Sequence, residues 1–133
     1  MAYLLDHIRK IGELSRFSAL IKDAGLDGPL NGPGQFTVFA PNDEAFTNAP
    51  QDILATHMMP GAKRRLLLHH VVYGFFDESA LRLVQSVTNA DQKPLKIGDD
   101  YAVLRISGAR IIKTDIKVDN GVLHVIERVL WPG

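Results

Sequence analysis

The chain has 133 residues, fifteen basic against fifteen acidic side chains, and no cysteine. That length supports one domain with its own core, and the charge balance gives no broad field to draw in DNA, RNA or an anionic membrane. The missing thiols exclude a disulfide framework, a thiolate metal site and a cysteine nucleophile.

Taken in chain order, Tyr3, Leu4, His7, Ile8 and Ile11 recur at helical spacing, and Gly12 ends the run. Ser15 is placed as the N-cap of a second helix with Phe17, Leu20, Ile21 and Ala24 as its apolar stripe and Gly25 as its C-cap. The turn-rich DGPLNGPGQ, Asp27 to Gln35, reads as a surface loop. Phe36 to Ala40 is a short apolar run between Gly and Pro, the pattern of a buried strand that Pro41 stops. Asn42 or Asp43 caps the next turn of helix, with Ala45 and Phe46 turned inward. A short helix is expected from Asp52 to Met59, and a better one from Gly61 to Leu68 with Lys63, Arg64 and Arg65 on its wet face. His70 to Tyr73 favours strand, Gly74 ends it, and Asp77 caps a short helix from Glu78 to Leu83.

Beyond that point the chain is mostly β. Tyr101 to Ile106 alternates, Ser107-Gly108 makes a hairpin turn into Ala109 to Thr114, and Asn120-Gly121 is the strongest short hairpin signal, because a type I′ turn needs positive φ at both central residues. Val122, His124 and Ile126 then alternate with Leu123, Val125 and Glu127, and Trp131 and Pro132 close the domain. Helices early and strands late argue for an α+β fold rather than a βαβ repeat. No repeat, low-complexity tract or linker divides the chain, so one domain over residues 1–133 is expected.

Little in the sequence suggests catalysis: HExxH, GxSxG and a Walker loop are all missing. NGPGQ, Asn31 to Gln35, precedes a strand rather than a helix and so makes no phosphate cradle. The Lys63-Arg64-Arg65 run has no aromatic interleaved, which speaks against nucleic acid. Adjacent residues such as His69 and His70 diverge on a strand or a helix, so the pair is a poor chelate and one ring is expected inside and one outside. No metal or cofactor is implied.

Three blocks carry more information than the rest: FTVFAPNDEAF at Phe36 to Phe46, LLLHHVVYG at Leu66 to Gly74 and NGVLHVIERVLWP at Asn120 to Pro132. In this order and at about this spacing they resemble the fasciclin domain, a family of extracellular adhesion modules, over nearly the whole chain from Leu4 to Pro132. The resemblance implies a wedge-shaped β-sheet core with small packed helices. In the first block Phe36, Thr37, Val38, Phe39, Ala40, Pro41, Asp43 and Phe46 read as architecture: core side chains, a strand stop and a carboxylate for free N–H groups at the helix start. In the last block Asn120 and Gly121 make the turn, and His124 reads as a hydrogen-bonded strand residue.

The family also suggests where partners bind. Most fasciclin domains carry Tyr-His where this chain has His69-His70, a region the resemblance implicates in receptor contact for some animal members. Asp115-Ile116 looks like the integrin-recognition pair of animal matrix members: an exposed acid would reach a receptor's cation while the apolar side chain fills a shallow pocket. The alternative is a plain turn-forming aspartate in a strand connection.

The expected function is therefore a non-enzymatic adhesion or recognition module that contacts a protein receptor, a matrix or cell-surface component, or a glycan, with no cofactor. It would act outside the cell, in the periplasm or at the cell surface. No stretch reaches the ~20 apolar residues of a membrane span, and MAYLLDHIRK is not a secretory signal, so an export signal or anchor would lie outside this sequence. Near-zero net charge lowers the electrostatic barrier to self-association, and a monomer or weak self-association is expected. Lack of cysteine and a pI near 7.0 look more like a microbial member than a disulfide-bearing animal one. The alternative is a small-ligand domain with a pocket between helices and sheet, and an enzyme using His70 as acid or base ranks last.

Overall fold

The computed structural model describes residues 8, 10–25, 35–100, 103–118 and 120–131. The helical expectation at Tyr3, Leu4 and His7, most of the 27–35 loop, Tyr101-Ala102 and Pro132 lie outside the described residues. A 3₁₀ turn, Gly12–Leu14, leads into α1 (Ser15–Asp23); then follow β1 (Phe36–Pro41), α2 (Asp43–Asn48), α3 (Gln51–Thr56), α4 (Pro60–Leu68), β2 (Val71–Tyr73) and α5 (Glu78–Leu81). The strand-rich half holds β3 (Ser86–Thr88), β4 (Pro94–Asp100), β5 (Val103–Ile106), β6 (Ala109–Val118) and β7 (Gly121–Ile126).

The strands form one sheet in the order β2-β1-β7-β6-β5-β4-β3. β1 and β7 run parallel, in register from Phe36 opposite Gly121 to Pro41 opposite Ile126. The other described pairs are antiparallel. The three sequence blocks are thus neighbouring strands, β2, β1 and β7. All six residues of β1 and all six of β7 are buried, which requires cover on both faces of the sheet.

Two apolar clusters supply that cover. On one face Val38, Ala40, Leu123 and Val125 meet Phe17, Ile21, Phe46 and Leu67 from the helices. On the other, Phe39, Val72 and Ile126 meet Leu95, Ile97, Leu104 and Ile106 from β4 and β5. Strand β6 makes this possible. It pairs with β5 through Ala109 and Arg110, then with β7 from Ile111 onward, with register shifts between Ile111 and Lys113 and between Lys113 and Ile116. Bulges of this kind bend a strand and increase its twist, and here they let the β3–β5 half close over the second face.

Four local expectations change on folding. Ser15 lies inside α1 rather than capping it; its hydroxyl donates to Asp43 Oδ2, and the Arg16 N–H donates to Asp43 Oδ1 at 2.8 Å. Asp43 therefore serves the start of α1 and not of its own helix, which Asn42 caps by accepting from the Ala45 N–H at 2.8 Å. Gly121 pairs with Val118 as the first residue of β7, so it stands in the strand and not at the apex of a type I′ turn. Its need for glycine comes from β1: a Cβ there would lie 1.9 Å from the Phe36 carbonyl oxygen. Lastly, the strand expected from Ala109 to Thr114 continues to Val118, so Asp115 sits within β6 and not in a connection. Ser107-Gly108, with φ of 47° and 86°, forms the expected hairpin turn, and Asp77 caps α5 through Ala80 N–H at 3.0 Å.

Candidate functional site

His70 closes the turn between α4 and β2. Its Nδ1 lies 2.8 Å from the Leu66 carbonyl, which can only accept, so Nδ1 carries the proton. Its Nε2 accepts from the Leu130 N–H at 2.9 Å. Both ring nitrogens are engaged, the ring is 1% exposed, and burial pushes its pKa down to about 3. The ring is neutral at physiological pH and has no lone pair or proton free for chemistry. It joins α4 to the C-terminal segment.

His124, on β7, has the opposite tautomer. Nε2 donates to the Phe76 carbonyl at 2.8 Å, and Nδ1 accepts from the Asp115 N–H at 3.3 Å. The ring stacks on Phe39 with centroids 5.5 Å apart. Burial lowers its pKa; the bond to Phe76 and the charges of Asp115, Asp77 and Glu78 pull the other way. Thr37 completes the node, donating its hydroxyl to the Gly74 carbonyl and accepting from the Phe76 N–H, both at 2.8 Å. The segment between β2 and α5 is thus held by one side chain from β1 and one from β7.

Asp115 is exposed at the bulge of β6 with φ of 60°, a left-handed conformation that aspartate tolerates better than most residues. Its Oδ1 accepts from the Glu78 N–H at 2.7 Å, a second cap for α5. Ile116, expected as an exposed apolar anchor, is half-buried and packs against the helix-side core. The exposed apolar side chain nearby in β6 is Ile112.

His69 and His70 are both buried, at 7% and 1% exposure, against the expectation of one inside and one out. The reason is local: His69 is the αR C-cap of α4 and His70 precedes β2, so neither a single strand nor a single helix sets their directions. Asn89 covers His69. Its Oδ1 accepts from the Asp91 and Lys93 N–H groups, each at 3.0 Å, which turns its amide nitrogen to donate to His69 Nδ1 at 3.0 Å and to the His69 carbonyl at 3.1 Å. The proton of His69 therefore sits on Nε2. Burial lowers the pKa although Asp91, 3.8 Å from Nδ1, opposes it.

His69 borders a cleft of about 1060 Å³, and although a pocket between helices and sheet was one expectation, its lining residues were not foreseen. Asn48 and Pro50 from the helices form one wall; Lys93 and Pro94, the Ser107 turn, and Glu127 to Trp131 form the rest. Five separated segments build it, so no motif could reveal it. The one hint is Trp131, the only tryptophan of the chain, which packs against His57 with ring centroids 5.1 Å apart.

The family description "Fasciclin domain" matches residues 12–132. The chain belongs to the fasciclin domain family. This fasciclin domain is 36% identical over 122 residues to an uncharacterised protein of Synechocystis sp., covering 89% of this chain and 91% of that one. It is 33% identical over 116 residues to the transforming growth factor-beta-induced protein ig-h3 of Sus scrofa, covering 86% of this chain and 17% of that protein. Among solved structures it is similar to a FAS1 domain pair from the insect cell adhesion molecule fasciclin I, with a TM-score of 0.82 at 16% identity. That match covers 98% of this chain and 51% of the other. The fold is the expected α+β fasciclin fold, a seven-stranded β-sheet core with small packed helices.

Within this fasciclin domain the blocks that carried the resemblance prove to be its centre. Phe36, Val38, Ala40 and Phe46 are buried where the strands meet the helices, and Phe39 and His124 stack on each other at the opposite face. Each recognition candidate has its own neighbours: Asp115 bonds to α5 and His124, whereas His69 bonds to Asn89 and borders the cleft.

Proposed function

We propose that this fasciclin domain is a single, non-enzymatic recognition module that works outside the cytosol, at the cell surface, in the periplasm or in the extracellular space. The match to the fasciclin domain across residues 12–132 carries this reading, and the similar domain pair of an insect cell adhesion molecule supports it. The geometry agrees. His70 and His124 have both ring nitrogens engaged in internal bonds, so they serve the fold and leave recognition to the surface. Among the described residues no helix is long and apolar enough to cross a membrane. Weak surface contacts of one domain would be strengthened by display in many copies.

The contact we propose for a protein partner is the β6 bulge. The cap to Glu78 holds the Asp115 carboxylate still through Oδ1 and leaves Oδ2 for a partner's cation or donor. Ile116 anchors the bulge to the core, and Ile112 offers apolar surface. Fractionating the source cells tests the reading: recovery from the medium, periplasm or surface supports it, and recovery from the cytosol alone overturns it. Binding in the cleft is a second reading, favoured by the cleft's position between helices and sheet.

A further inference from the structure

We infer that the cleft binds a short stretch of an acidic polysaccharide, a chain of sugars bearing carboxylates. The inference rests on the recognition reading above and names a ligand class and a place for it.

Size and lining narrow the choice. At about 1060 Å³ the cleft lies just above the ~300–1,000 Å³ range of small-molecule pockets, which are mostly apolar. Alongside its alanines, prolines, Val129, Leu130 and Trp131, this one carries an amide, a hydroxyl, two cations and a carboxylate from Asn48, Ser107, Lys93, Arg128 and Glu127. A single apolar metabolite would leave those groups without partners. A hydroxyl-rich oligomer would satisfy them along its length.

Charge selects the acid. Lys93 and Arg128 are exposed, and among the described residues neither side chain has an ion-pair partner. His69, beside them, is neutral at pH 7, so its Nε2 is a donor without a charge. Two free cations against one acid favour a ligand with spaced carboxylates, since charge-assisted bonds are stronger than neutral ones. Glu127 opposes a dense polyanion such as a phosphate chain. Trp131 is half-exposed at the rim and gives the apolar C–H face of a sugar ring a flat amphipathic surface to lie on.

Trp131 is also the reporter, because the chain has one tryptophan. The purified protein is titrated with a galacturonate hexamer, with maltohexaose and with inorganic phosphate, following tryptophan emission. The expected result is a saturable change with the uronate hexamer that weakens with salt. Maltohexaose and the double variant Lys93→Gln/Arg128→Gln should each bind at least ~tenfold more weakly. Both substituted side chains are exposed and unpaired, so the variant keeps its fold. No response to the hexamer, an equal response to maltohexaose or to phosphate alone, or an unchanged double variant would overturn the assignment. If protein-coated beads still attach to cells in that event, the recognition reading stands and only the cleft assignment fails.

Discussion

Acid should loosen this domain through His70. The ring is buried, and its pKa falls from 6.5 to about 3. Between those values the unfolded chain binds a proton that the folded chain refuses, so stability falls as pH drops below 6.5 and stops falling from this source near pH 3. Each unit in that window costs about 1.4 kcal/mol, so at pH 5 the ring destabilises the fold by about 2 kcal/mol relative to pH 8. Burial lowers the pKa of His69 and His124 as well, so the parent's total slope is steeper than one group gives. The His70→Gln variant isolates the contribution. It loses one or both ring bonds, at about 1–3 kcal/mol at neutral pH, and carries no proton to gain. Urea melts from pH 8 to 5 should show the variant losing about 2 kcal/mol less than the parent over that range. Parallel stability curves for the two proteins would refute the reasoning.

Three substitutions probe the rest. Asp115→Asn keeps an oxygen for the Glu78 N–H and tolerates φ of 60°, so stability should hold within about 0.5 kcal/mol while attachment weakens; Asp115→Ala should cost about 1–2 kcal/mol in a urea melt through the lost cap. Gly121→Ala drives a methyl into the Phe36 carbonyl between the central strands and should cost at least about 3 kcal/mol or abolish folding, seen by circular dichroism. Phe39→Ala removes a fully buried ring stacked on His124 and should lower stability by about 3–5 kcal/mol in the same melts.

What could be read from the sequence was what neighbouring residues decide. The cap at Asp77, the hairpin at Ser107-Gly108 and the buried run of β1 each depend on a few adjacent side chains, and each formed as expected. The expectations that changed depend on distant residues. Asp43 looks like a cap for the helix it begins, yet its carboxylate serves Arg16, 27 residues earlier. Gly121 looks like a turn residue, yet it is needed because Phe36 passes too close for a Cβ. Both histidines of the pair are buried because Asn89 and Leu130 fold over them, and neither residue is near them in sequence. The lining of the cleft could not be read for the same reason: Asn48, Lys93, Ser107 and Trp131 share no local pattern. Asp115 was singled out by resemblance, and its role in holding α5 emerged only when Glu78 was placed beside it.

The most direct test of the account is attachment. Beads coated with the purified domain at increasing density are applied to the surface of the source cells, with soluble domain as competitor. The account predicts attachment that rises steeply with coating density and is reversed by the competitor, since weak single contacts gain strength in many copies. No attachment above bare beads at any density would contradict it.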